Sequence, residues 1–142
     1  MADAVSVIKQ DHQMVGQLFE QYGQAQDSSA KQDLVRQITE GLGQHAEMEE
    51  QVLYPRMEQA LSADEMSKNV EEHNMMRQAL GQLANMSAED AACDETVQGL
   101  IASVLDHVRL EEEDELPRLQ QKLSQEELDR IGEEMERFKA GA

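Results

Sequence analysis

Residues 45–57 read His45-Ala46-Glu47-Met48-Glu49-Glu50-Gln51-Val52-Leu53-Tyr54-Pro55-Arg56-Met57, and residues 107–119 repeat the pattern. The histidine, both glutamates, the proline and the arginine recur at one offset (107 − 45 = 111 − 49 = 117 − 55 = 118 − 56 = 62). The remaining two histidines also form a pair, at an offset of 73 − 12 = 61. All four histidines therefore belong to one tandem repeat, and the fold has to bring its two halves together.

The apolar residues around this repeat follow spacings of three and four, which is the period of a helix with one buried face. In the first helix this buried stripe contains His12. The pattern predicts long helices over about residues 3–24, 30–60, 63–85 and 92–122, and a short last helix over about 125–139. Because Pro55 has no N–H to donate, it should bend the second helix near its end. We therefore predict an all-α fold, an up-down-up-down four-helix bundle with a short additional C-terminal helix, as a single domain over residues 1–142.

Two Ser-x-x-Glu motifs predict where helices begin. Ser62 and Glu65 form one capping-box pattern, and Ser124 and Glu127 form the second. Each pattern comes directly before an apolar helical stripe, so we expect a reciprocally capped helix after each serine.

The composition excludes several classes of partner. Thirty acidic residues against twelve basic ones give a net charge of −18, which repels nucleic acid and anionic membranes. Cys93 is the single cysteine, so no internal disulfide forms, and we expect this residue to be structural. With neither a signal-peptide pattern nor a long apolar run, we expect a cytoplasmic protein.

The helical stripes predict a metal centre. His45 and His107 lie inward, each with a glutamate four residues later on the same helix face, Glu49 and Glu111. His12 and His45 lie at similar distances from the first turn, so their heights in the bundle should differ by only about 5 Å. Six nitrogen and oxygen donors suit iron, manganese or zinc, and two bridging glutamates imply two ions with open positions. The alternative is that the four histidines are ordinary core residues.

These residues together resemble the hemerythrin-like family of HHE cation-binding bundles, over about residues 4–120. The resemblance rests on Asp11-His12, Glu72-His73 and the two His-x-x-x-Glu-Glu motifs. It implies two non-haem iron ions held by the inward histidines and glutamates, with dioxygen, nitric oxide or peroxide as the ligand. The metal ligands predicted from this set are His12, His45, Glu49, His73, His107 and Glu111.

Two departures from the family pattern affect the expected reactivity. Oxygen-carrying hemerythrins have a further histidine where this chain has Arg77, so one iron should be more open. Arg77 either reaches across that iron or pairs with an acid outside the site. The family spacing of the last carboxylate selects Glu112, whereas the parallel with His45 and Glu49 favours Glu111.

Three residues near these ligands have two readings each. Glu50 and Glu112 either accept hydrogen bonds from the ligands or lie on the surface, and we expect Tyr54 to pack against the proline kink rather than to line the site.

Three functions follow as expectations. The first is a di-iron protein that binds a diatomic ligand as a sensor or scavenger. The second is an enzyme that turns over peroxide or nitric oxide, or that donates iron for the repair of damaged iron centres. The third is an acidic helical interaction module without a metal. A protein partner is compatible with any of them and cannot be identified from the residues.

Overall fold

The computed structural model describes residues 2–141 and confirms the predicted all-α bundle. Two of the four long helices are interrupted, so the helical elements are α1 Ala4–Gln24, α2 Ser28–Met48, α3 Tyr54–Ala60, α4 Ala63–Leu83, α5 Ala91–Leu110, α6 Leu116–Lys122 and α7 Gln125–Lys139. The predicted bounds of the first, third and last helices agree with the observed bounds of α1, α4 and α7 to within two residues. No strand occurs within residues 2–141.

Side-chain caps fix four of the helix starts. Asp3, Asp27, Ser62 and Ser124 each accept a hydrogen bond from a backbone N–H in the first turn that follows. The predicted capping box at Ser124 is complete. The one at Ser62 is only half formed, because both carboxylate oxygens of Glu65 accept hydrogen bonds from Arg118 at 3.0 Å instead.

Two π-helical segments interrupt the second and fourth long helices, one in each copy of the repeat. They span Glu49–Leu53 and Glu111–Glu115 and end before Tyr54-Pro55 and Leu116-Pro117. The missing N–H of each proline breaks the α-helical bonding, and the wider turn begins at the inward glutamate. The prediction of a simple bend was therefore incomplete, because each long helix also changes its hydrogen-bond register.

Two hydrophobic clusters fill the bundle, and the histidines lie between them. One cluster contains residues from the start of α1, the end of α2 with the π segment and α3 that follow it, the start of α4, α6 and α7. The other joins the rest of α1, α2, α4 and α5 around the chain turns, and includes the buried Cys93. Leu128, Ile131 and Met135 of α7 are fully or almost fully buried in the first cluster, so α7 closes that end of the bundle.

Within residues 2–141, no helix is both long enough and apolar enough to span a membrane.

Candidate metal centre

The structure brings the six predicted site residues together between the two hydrophobic clusters. His12 Nε2 lies 3.0 Å from Glu111 Oε1, and His73 Nε2 lies 3.2 Å from Glu49 Oε1. His45 Nε2 lies 3.4 Å from Glu49 Oε1, and His107 Nε2 lies 3.7 Å from Glu111 Oε2. The two glutamates have no exposed surface. Every inner histidine nitrogen therefore faces a buried carboxylate oxygen.

The donor atoms form two groups that share one residue. The first contains His12, His45, Glu49 and Glu111, and the second contains Glu49, His73 and His107. Within each group all donor atoms lie within 4.8 Å of one another. Each group is small enough to surround one ion, and the carboxylate of Glu49 belongs to both.

The outer nitrogen of each histidine contacts a carboxylate from a neighbouring helix or π segment. The Nδ1 atoms pair with four acids at 2.5–2.8 Å: His12 with Glu112, His45 with Asp11, His73 with Glu50 and His107 with Glu72. Such contacts fix the ring orientation and make the inner nitrogen a better metal ligand. Glu50 and Glu112, for which the sequence left two readings open, are thus hydrogen-bond partners of the histidines. Glu111, and not Glu112, lies in the inner cluster.

Two cations hold this outer ring of carboxylates in place. Lys139 of α7 donates to Asp11 Oδ1 at 2.6 Å, and Arg77 contacts Glu50 Oε2 at 2.8 Å. Arg77 also donates to Asn74 at 3.2 Å. Of the two readings of Arg77, the structure therefore favours the pair with an outer acid over a reach across the centre.

Three buried atoms in the cluster make no hydrogen bond of acceptable geometry with the described residues: His45 Nε2, Glu49 Oε2 and Glu111 Oε1. His45 Nε2 nevertheless lies near a carboxylate oxygen, and Glu111 Oε1 lies near an imidazole nitrogen. A buried polar atom without a partner costs about 1–3 kcal/mol. Three such atoms on adjacent ligand-type side chains fit a cation that would coordinate them. The residues present therefore suit the metal ions that the sequence predicts.

The pKa values of these groups are strongly coupled. Burial and the charge of Glu49 raise the pKa of Glu111 well above its usual value. Burial by itself would lower the pKa of His45, but the charge of Glu49 and the hydrogen bond with Asp11 raise it to about 10. Without a cation the cluster therefore retains protons at neutral pH, and a metal has to displace them.

Tyr54 lies in the centre, which corrects the expectation that it only packs against the kink. Its hydroxyl lies 3.3 Å from Glu49 Oε1 and from His73 Nε2, 3.4 Å from Glu111 Oε2 and 3.5 Å from His107 Nε2. Burial, with the charges of Glu49 and Glu111, raises the pKa of this phenol far above its usual value. The hydroxyl therefore stays protonated and acts as a hydrogen-bond donor beside the second ligand group.

A cleft of about 640 Å³ opens onto the centre from one side. His12, His45, Glu49, His73 and His107 line its inner end, whereas Tyr54 and Glu111 do not. The cleft therefore gives access to the histidine side of the cluster, and Tyr54 lies on the opposite side.

The sequence reasoning missed the roles of Asp11 and Glu72 and the inward position of Tyr54, and it left the roles of Glu50 and Glu112 open. The signal for these acids was present in the repeat. Asp11 and Glu72 directly precede His12 and His73 at an offset of 61, and Glu50 and Glu112 directly follow the two inward glutamates at an offset of 62. An acid that is repeated with the same period as a ligand is a candidate support for it.

Comparison with known proteins agrees with this geometry. The model of the hemerythrin HHE cation binding domain matches residues 3–119. A DNA nickase from Nostoc sp. is 31% identical over 94% of this chain and 38% of its own length. An uncharacterized hemerythrin-like protein from Schizosaccharomyces pombe is 27% identical over 93% of this chain and 66% of its own. This chain thus spans less than two thirds of either curated relative.

A solved structure shares the fold. The crystal structure of a hemerythrin HHE cation binding domain-containing protein from Mycobacterium kansasii superposes with a TM-score of 0.86 at 21% identity. The match covers 99% of this chain and 87% of the other.

Proposed function

This chain belongs to the hemerythrin family of HHE cation-binding domains, and we propose that it holds two iron ions that bind a small diatomic ligand as a sensor or scavenger. The observation that carries the proposal is the convergence of the inner histidine nitrogens on Glu49 and Glu111, both fully buried. We assign as ligands the six residues His12, His45, Glu49, His73, His107 and Glu111.

The division of the ligand atoms into two groups supports a count of two ions. Glu49 belongs to both groups and lies near His45 and His73. Glu111 lies near His12 and His107, so each glutamate contacts one histidine from each copy of the repeat. A carboxylate that reaches two ions acts as a bridge, and it leaves positions for an outside ligand. Mixed imidazole and carboxylate ligation favours iron, with manganese as the main competitor.

The walls of the cleft support a small uncharged ligand such as dioxygen or nitric oxide. Its middle part is lined by apolar side chains from the four long helices, among them Val15, Leu42, Met76, Leu100 and Val104. Ferrous ions, when bound, would supply the electrons that these gases accept. The protein's own part is to orient the imidazoles through the outer carboxylates and to keep bulk water away.

A second function, turnover of peroxide or nitric oxide, is favoured by the position of Tyr54. Its hydroxyl lies 3.3 Å from Glu49 Oε1 and 3.5 Å from His107 Nε2. Burial and the nearby carboxylates raise its pKa, so the hydroxyl stays protonated. A hydrogen-bond donor among the ligand atoms can stabilise negative charge that develops on oxygen during turnover. Pure ligand binding does not need it.

The activity named for the Nostoc relative is not extended to this chain. The match covers 38% of that protein, and a net charge of −18 opposes the approach of a phosphate backbone. We propose instead a small ligand and a cytoplasmic location.

Metal content after anaerobic reconstitution with ferrous iron tests the proposal. We expect about two irons per chain in the wild type, about the same in Glu47→Gln, and one or none in Glu49→Gln. Glu47 is a matched control because it lies two residues from Glu49 on the exposed side of the same helix. Elemental analysis measures the metal, and the visible spectrum reports its environment.

Rapid mixing of the ferrous protein with nitric oxide, dioxygen or peroxide then separates binding from turnover. A binding protein consumes one equivalent per centre and stops, whereas an enzyme continues. If neither iron nor manganese is retained, or if Glu49→Gln retains as much as Glu47→Gln, the proposed centre is wrong.

A further inference from the structure

The cleft beside the centre is much larger than a diatomic ligand needs. A molecule the size of water takes up about 30 Å³, whereas the cleft measures about 640 Å³. Pockets of about 300–1,000 Å³ with mostly apolar walls and a few polar groups are typical of sites for organic ligands. We propose that this cleft binds a neutral, apolar organic molecule next to the histidine cluster.

The charges of the cleft determine what kind of molecule fits. No lysine or arginine is present among the described residues that line it. Its charged wall residues apart from the centre itself are two acids, Glu72 and Asp106. An anionic ligand such as a fatty acid would find no cation along the walls and two acids in its path. The charges therefore exclude an anion, and the mostly apolar walls favour a neutral molecule over a hydrated cation.

Small residues form the part of the cleft that reaches the surface. Gly99 and Ser103 of α5 are exposed, and Ala79 of α4 lies half-buried in the same wall. A Cβ atom added at Gly99 would meet no atom within 4 Å, so a larger side chain can be accommodated there. The side chains of Met75 and Leu110, which also line it, are 70% and 40% exposed. A flat organic molecule could thus enter past Gly99 and Ser103 with apolar contacts on either side.

Small wall residues by themselves would not indicate a ligand, but the inner end of the cleft supplies a second observation. Glu49, which is fully buried and lines the cleft, has an oxygen without a partner. The apolar walls therefore lead from the surface to the ligand atoms of the centre, and a molecule in the cleft would lie against this cluster whether or not a metal is bound. The inference deepens the proposed function, since it names a larger class of ligand for the same site, but it does not require a bound metal.

The test is a fluorescence titration with N-phenyl-1-naphthylamine, a neutral apolar probe, on the full chain both metal-free and zinc-loaded. We expect saturable binding at one probe per chain in both forms. Gly99→Leu and Ser103→Leu place a large side chain in the opening and should weaken binding about tenfold or more. Gly81→Leu is the matched control, because Gly81 is an exposed helical glycine, with open space around it, that does not line the cleft.

Helicity by circular dichroism and metal content by elemental analysis are measured on every variant. The inference is overturned if the probe does not saturate, or if the two cleft variants bind it as well as Gly81→Leu does. Equal binding of the anionic probe 8-anilinonaphthalene-1-sulfonate overturns the claim of a neutral ligand. Probe binding by a protein that retains no metal would leave the cleft assignment in place and remove the proposed function.

Discussion

The substitution Glu111→Gln should stabilise the metal-free protein and remove the stabilisation that metal provides. Glu111 and Glu49 are both fully buried, and one oxygen of each lacks a partner. A glutamine keeps the shape of Glu111, removes its ionisable proton and offers an N–H to Glu49. The metal-free centre of the wild type is therefore a local source of instability, which the variant relieves.

The size of this effect follows from the unpartnered atoms. Satisfying one buried polar oxygen is worth about 1–3 kcal/mol. For a chain of this length each kcal/mol raises the midpoint of thermal unfolding by about 2–4 °C, so metal-free Glu111→Gln should melt about 2–12 °C higher. With metal bound, we expect the wild type to be more stable than Glu111→Gln. At a free metal concentration of about 100 times Kd the wild type gains about 2.7 kcal/mol, whereas the variant, which lacks one proposed ligand, gains much less.

Thermal unfolding followed by circular dichroism, with a chelator and with saturating metal, measures both effects. Glu113→Gln is the control, because Glu113 lies in the same π segment but is exposed, and it should melt like the wild type in both conditions. If metal-free Glu111→Gln is less stable than the wild type, the buried pair does not destabilise the protein. If metal stabilises the variant as much as the wild type, Glu111 is not a ligand.

Two further predictions concern residues outside the ligand set. Gly132→Ala would place a Cβ atom 2.3 Å from the backbone oxygen of Ala2 and should destabilise the packing of α7 by about 1–3 kcal/mol. Gly41→Ala has open space around its Cβ atom and should stabilise α2 by about 0.5–1 kcal/mol. Urea unfolding measures both changes, and equal effects of the two substitutions would contradict the reasoning. Burial raises the pKa of Glu115, so the folded state holds an extra proton above the usual value of 4.5 and wild-type stability falls as pH rises through that window. Glu115→Gln removes this loss, so its stability relative to the wild type should increase as the pH rises above about 4.5, and a constant difference would refute the assignment.

The repeat made most of the fold and the inner cluster predictable. Helical spacing puts His45 and Glu49 on one face, and the period of 61 to 62 residues adds the matching pair from the other half. Glu111 could be chosen over Glu112 because the first copy of the repeat sets its distance from the histidine. Such arguments work because a buried face and a fixed spacing both follow directly from helix geometry.

Tyr54 could not be placed in the same way, because its position depends on the π segment. At about 100° per residue, five α-helical residues turn through about 500°, which would point Tyr54 about 140° away from Glu49. Instead the N–H of Tyr54 bonds to the carbonyl of Glu49, five residues earlier, and this wider turn brings both side chains to the same face. A proline signals that the bonding must break, but it does not say whether the helix kinks, ends or widens.

Three of the many positions at which the two copies differ place different groups around the centre. Tyr54 corresponds to Leu116 in the second copy (116 − 54 = 62), so only one copy supplies a hydroxyl group. Ile8 and Leu53, which lie buried in the apolar cluster, correspond to Asn69 and Glu115 (69 − 8 = 61, 115 − 53 = 62).

The second copy thus replaces an apolar pair with a buried polar one, in which the amide of Asn69 donates to both oxygens of Glu115 at 3.0 Å. Asn69 lies one turn before His73 on α4, and the charge of Glu115 contributes to the raised pKa of Tyr54. Buried polar pairs add little stability compared with an apolar pair of similar volume, so packing alone does not account for the replacement. The two halves share the residues that we propose as cation ligands, and they differ in the groups that can hold a proton. We therefore expect any chemistry beyond ligand binding at the half formed by His73 and His107.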